Sequence, residues 1–193
     1  VAPGEQGPPR PISALGWIGF GWGLVGVIAL LGSALWRLTP LSLEAIELGL
    51  TGWQWAILVG WVALNAHAEG YRGFHRRFSP RVVARALHLR AHPQPGWVVI
   101  APLFCMSLVG ASARGMKVAR IVSASILTLV LIVRSLDQPW RGIIDAGVVV
   151  GLGLGTLSLL GFLAGALLGR PPSIDPDLAD SARPTPRSPE TVA

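Results

Sequence analysis

The sequence predicts an all-α, polytopic membrane bundle of five helices between two disordered tails, its third helix either spanning or re-entrant. Three observations carry this. Hydrophobic residues make up 51% of the chain and charged ones only 13%, half the charge usual in a soluble domain. The apolar residues come in long blocks rather than alternating patterns. Tryptophan and arginine gather at the ends of those blocks, as they do at membrane interfaces.

Residues 1–12 are Pro/Gly-rich and read as a disordered tail, with no cleavable signal peptide expected. The membrane domain is expected over 13–169. Span one is Ser13 to Leu35, flanked by Trp17 and Trp36 and stopped by Arg37. Thr39-Pro40 looks like a cap and first-turn proline, opening a short interfacial helix from Leu41 to Gly49. Span two is Leu50 to Ala68, entered through Trp53 and Trp55. A basic juxtamembrane segment, 69–95, follows it. Within that segment Ser79-Pro80 starts a further short helix, ended by His92-Pro93 and Pro95. Gly96 to Ala113 is a third apolar stretch, with Pro102 inside. Span four is Val118 to Leu136, with Arg120 and Arg134 snorkelling at its ends. Span five is Gly142 to Gly169. Residues 170–193 are polar and Pro-rich and should be disordered.

"NAHAEGYRGFHRRFSPRVVARALHLR", Asn65 to Arg90, holds three of the four histidines. At 3.6 residues per turn, Asn65, Glu69, Arg72 and Arg76 share one face, and His67, Tyr71, Phe74 and Phe78 another. Arg81, Arg85, His88 and His92 line up further on. Such a basic amphipathic helix is expected to lie on anionic headgroups, with Arg72, Arg76, Arg77, Arg81, Arg85 and Arg90 at the membrane surface. Nucleic acid would exploit the same charge, but basic loops are ordinary on the inner side of a membrane, so no nucleic-acid partner is expected. His88 and His92 have metal-ligand spacing without a third ligand in view. No metal or cofactor is expected.

Glycines form two stripes. Gly147, Gly151 and Gly155, then Gly161, Gly165 and Gly169, recur every four residues in span five. Gly16, Gly19, Gly23 and Gly26 mark span one. In lipid, helices associate where small residues let backbones approach, so both stripes are read as packing faces. Packing of spans one and five against each other would use them within the chain. A second copy or another membrane subunit would use them between chains. The match of Gly21, Gly23 and Gly26 to G-x-G-x-x-G lacks the preceding strand that a dinucleotide site needs.

Ionisable groups inside a membrane are costly and are functional candidates. Asp145 is the foremost, with Arg141 four residues before it and Asn65 and Glu69 as companions from the end of span two. A local Arg141–Asp145 pair at a helix start is the plain alternative. No H-E-x-x-H, G-x-S-x-G or P-loop occurs. The single cysteine, Cys105, rules out an internal disulfide. The sequence therefore reads as a non-enzymatic accessory or scaffold subunit, with a small transporter or channel subunit using Asp145 as the alternative.

"EGYRGFHRRFSPRVVARAL" and "QPWRGIIDAGVVVGLGLG" resemble segments of small, uncharacterised bacterial multi-span inner-membrane proteins, over roughly Ser13 to Gly169. The resemblance implies a bacterial inner membrane and no activity, cofactor or site. Lys117 is the only lysine among sixteen basic residues, a composition of GC-rich bacterial genomes.

The basic loop Arg72 to Arg90 is expected to be cytoplasmic. If Gly96 to Ala113 spans, nine basic residues lie inside and seven outside; if it is re-entrant, thirteen lie inside and three outside. Charge favours re-entrance. The unbroken apolar run, whose 18 residues of helix would cover about 27 Å of a ~30 Å core, favours a full span and five helices.

Overall fold

The computed structural model describes residues 13–179. The tail expected at 1–12, and residues 180–193 of the one expected at 170–193, lie outside the described residues. Among the described residues all regular structure is helical, apart from one isolated pairing of Ala111 with Leu178. In order, the elements are α1 (Ala14–Glu47), α2 (Gly52–Asn65), a π-helical segment (Ala66–Phe78), α3 (Ser79–Ala91), α4 (Pro95–Val99), α5 (Ala101–Cys105), α6 (Ala113–Arg134) and α7 (Trp140–Leu167).

Three of these, α1, α6 and α7, are long and apolar enough to cross a membrane. The other two expected spans differ. α2 has 14 residues, about 21 Å of helix, and runs on without interruption through the π-helical segment into α3. Gly96 to Ala113 contains two five-residue helices and a loop, not one helix.

α1 does not stop at Arg37. It continues through Pro40 to Glu47, so the separate interfacial helix expected from Leu41 does not form. Proline removes one backbone donor and frees a carbonyl of the preceding turn. Side-chain hydroxyls bond other carbonyls on both sides of the break: Thr39 Oγ1 donates to Leu35 O at 2.8 Å and Ser42 Oγ to Leu38 O at 3.1 Å. Hydroxyls sustain proline-containing helices in this way where water is absent. The helix ends before Gly49, whose φ of +83° suits the left-handed position that closes a helix.

α1 and α7 run antiparallel. Gly142 near the start of α7 meets Ala45 and Leu41 near the end of α1, and Leu159 joins Phe20 and Leu24 in the core. Gln138 fastens that first junction. Its side-chain N–H group donates to Leu41 O (3.1 Å) and Glu44 Oε2 (3.2 Å), while its oxygen accepts from the Gly142 N–H (3.0 Å). α3 lies inside the bundle: Val82, Val83, Ala86 and Leu89 pack against α1 and α5.

The segment from Trp97 to Gly110 folds back on itself beside α1. Val98 stands at Gly19, Pro102 at Gly26 and Cys105 at Gly23. It thus descends along α1 by seven residues, about 10 Å, and returns. Residues 176–179 close over its exit, with the Ser112 N–H donating to Asp177 O and the Ala179 N–H to Gly110 O, both at 3.1 Å. The expectation of a structureless tail from Arg170 therefore fails for these residues, because their backbone groups find partners in the returning loop.

Candidate functional site

The seam between α7 and the helix facing it is built on glycine. Hydrogens on Gly147, Gly151 and Gly155 let Trp61 with Asn65, Glu69 and Phe74 sit directly on the α7 backbone. Trp61 Nε1 donates to Ile144 O (3.1 Å), and Asn65 Nδ2 donates to Trp61 O (2.8 Å). The facing residues Glu69, Phe74 and Ser79 are five apart, and the Ser79 hydroxyl reaches Gly155 O at 3.4 Å. A π-helix, hydrogen-bonded from i to i+5, takes more residues per turn than an α-helix and so brings Glu69 and Phe74 to one side. This overturns the helical projection used on the sequence: Glu69 shares its face with Phe74, not with Arg72 and Arg76.

The candidate polar residues do not converge. Asn65 stands at Gly147 and Glu69 at Gly151. Asp145 lies on α7 towards the side where Gly142 meets α1, at about 100° per residue. Among the described residues no hydrogen bond or ion pair joins it to Asn65 or Glu69. Its partner is Arg141, Nε to Oδ2 at 3.9 Å, and neither of those two buried atoms has a hydrogen bond within the described residues. Asp145 is only 5% exposed.

The two glycine stripes do not face each other. Those of α1 receive a folded segment instead: Leu89 and Val98 at Gly19, Cys105 and Ala101 at Gly23, and Pro102 at Gly26. Gly16 is buried at the first turn, where its N–H donates to the Ser13 side chain (3.2 Å). The second half of the α7 stripe is open. Gly161 and Gly169 have nothing within 4 Å of where a methyl group would stand, and Gly165 meets only the Arg170 carbonyl.

The six arginines expected on headgroups occupy three different settings. Arg72, Arg76 and Arg77 are exposed. Arg81 and Arg90 are partly buried, Arg90 lying over the rings of Trp17 (4.9 Å) and Phe20 (5.5 Å). Arg85 is 0% exposed, which corrects its assignment to the membrane surface. Its Nε donates to Phe104 O, one terminal nitrogen to Pro176 O (2.8 Å) and Asp177 O (3.1 Å), and the other to Val109 O (2.8 Å). A guanidinium carries donors in a planar fork, so one side chain can serve three loop strands at once.

Nothing in the sequence singled out α6 as a surface. Only Val133 of its 22 residues is buried, and α7 is the main element it touches. Ile121, Ala124, Ser125, Thr128 and Ile132 form one exposed face. The Ser125 and Thr128 hydroxyls on it have no hydrogen-bond partner among the described residues. Elsewhere Ser33, Thr39, Ser42 and Thr156 each donate to a carbonyl of their own helix.

Among the described residues no three His, Cys, Asp or Glu side chains cluster as metal ligands, and His88 and His92 stack at 4.8 Å between ring centres. No protein-family description, curated protein or solved structure matches the chain.

Proposed function

We propose that the protein is a non-enzymatic assembly subunit of a bacterial inner membrane, which associates through α6. The observation that carries this reading is that α6 buries only Val133 and touches little besides α7, whereas the other long helices each pack along a neighbour. Lipid alone could surround an apolar helix. Two hydroxyls without acceptors on one face argue for a helix opposite, since interhelical hydrogen bonds from Ser and Thr hold membrane helices together. Ser125 and Thr128 are each donor and acceptor, so the face is complementary to itself, and a second copy of the chain fits it.

In this reading α1, α2 with the start of the π-helical segment, α6 and α7 cross the membrane. Residues 96–110 dip in beside α1 and return. The bundle end bearing Arg72 to Arg90 faces the cytoplasm, which leaves thirteen basic residues inside and three outside. The shared location of Val98, Ala111 and Leu178 at one end of the bundle supports this arrangement over five crossings.

Cysteine scanning tests the association. In a Cys105→Ala background reconstituted in lipid, Ile121→Cys, Ser125→Cys and Thr128→Cys should crosslink to a species of twice the chain mass. Ile126→Cys and Val130→Cys, on the opposite side, should not. Uniform crosslinking, or none, would refute the α6 interface.

One observation favours a second reading, that of a transport subunit. Asp145 keeps a buried carboxylate oxygen without a hydrogen bond. Proton-coupled uptake that disappears in Asp145→Asn, with assembly intact, would replace the scaffold reading.

A further inference from the structure

A groove of about 570 Å³ lies between the π-helical segment and the C-terminal half of α7. This is within the range of small-molecule sites, about 300–1,000 Å³. Its lining runs from Leu154 to Gly165 on α7, about 16 Å of helix. Gly161 and Gly165 leave the helix backbone bare along its floor. One wall is aromatic: Tyr71 stacks on His75 at 5.7 Å between ring centres, and His75 meets Phe162 at 5.4 Å.

The polar groups are few: His75 with Ser158 partway along the lining, and Arg170 beyond Gly165 at its end. His75 Nδ1 and Ser158 Oγ are 2.9 Å apart, which fixes the ring, and Nε2 makes no hydrogen bond. Arg170 closes that end just beyond the last turn of α7, its backbone N–H bonded to Gly165 O at 2.8 Å. Its guanidinium has no ion-pair partner among the described residues, and Arg76 and Arg77 are exposed nearby in sequence to His75.

We infer that this groove binds one anionic phospholipid, its phosphate meeting Arg170 and an acyl chain running from there over Gly165 and Gly161 towards Leu154. The charge pattern selects this occupant. A long apolar trough ending in a guanidinium that has no ion pair among the described residues complements a molecule with a long apolar body and one anionic end. A second protein helix would leave that cation uncompensated unless it carried a matching acid. The inference does not depend on the α6 interface.

The test uses the full chain in detergent micelles, with thermal unfolding followed as lipid is added. Phosphatidylglycerol should raise the unfolding temperature by several degrees, at several-fold lower concentration than phosphatidylcholine needs. Gly161→Leu puts a side chain into the trough at a position where nothing lies within 4 Å of the new Cβ, and should abolish the shift from both lipids. Arg170→Gln should retain the phosphatidylcholine response and lose the excess from phosphatidylglycerol. Any of four results overturns the inference: equal response to the two lipids, a full shift in Gly161→Leu, an unchanged preference in Arg170→Gln, or an equal shift from glycerol 3-phosphate alone. The last would mark a free-anion site. A changed oligomeric state in Gly161→Leu, with the lipid response intact, would assign the groove to a protein contact.

Discussion

The guanidinium of Arg85 lies over the ring of Phe104, 4.1 Å from its centroid, while its Nε donates to the carbonyl of that same residue. One side chain thus holds both faces of the turn that brings residues 96–110 back along α1. Its remaining bonds reach Val109 on the exit strand and Pro176 and Asp177 on the chain that closes over it. A buried cation is costly unless hydrogen-bonded, and here backbone carbonyls of loops satisfy it.

Removing that cation should loosen the loop and the closing segment together. Arg85→Ala is expected to cost more than about 3 kcal/mol, because it orphans buried carbonyls as well as losing charge-assisted bonds. Arg85→Lys should recover little, since one ammonium cannot reproduce the fork. Unfolding in mixed micelles with dodecyl sulfate measures both, and limited proteolysis should cut first between Ser173 and Ala179. A loss below about 0.5 kcal/mol in Arg85→Ala would contradict the clamp.

Cys105 should be unreactive in the folded protein. It is buried, with its sulfur against the α1 backbone at Gly23. Maleimide labelling should be slow at neutral pH and fast after denaturation.

The two halves of the α7 glycine stripe should respond in opposite directions. A methyl group at Gly155 collides with the Phe74 ring, and Gly155→Ala should destabilise by about 1–3 kcal/mol. Gly161→Ala meets open space and should gain up to about 1 kcal/mol of helix propensity. Equal effects at the two positions would show that the facing helix is not seated at Phe74.

Reporter fusions at Ala193 and within Arg72 to Arg90 should report the same side of the membrane. Opposite sides would restore five crossings and place Arg114, Lys117 and Arg120 outside.

The α-helical class, the three long apolar helices and the approximate bounds of the last two of them were legible in the sequence, because helix length and apolar run length are local properties. α6 and α7 follow directly from their apolar runs and flanking arginines. The two glycine stripes were visible too, but not their partners. Spacing reveals that a backbone can be approached and leaves open what approaches it, here Trp61, Glu69 and Phe74 on one stripe and the 89–105 segment on the other.

Three features were decided only by tertiary structure. The π-helical winding of Ala66–Phe78 sets Glu69 at Gly151 and Phe74 at Gly155, on the side that meets α7. Pro40 stayed within α1 because neighbouring hydroxyls and Gln138 take up carbonyls around it. Arg85 has the same place in the sequence pattern as Arg81 and His88, which are only partly buried, and His92, which is exposed. Amphipathicity separates a polar face from an apolar one, but it cannot distinguish water from a ring of backbone carbonyls as what that polar face will meet. Those carbonyls come from residues 19 to 92 positions further along the chain, so only the folded arrangement could assemble them.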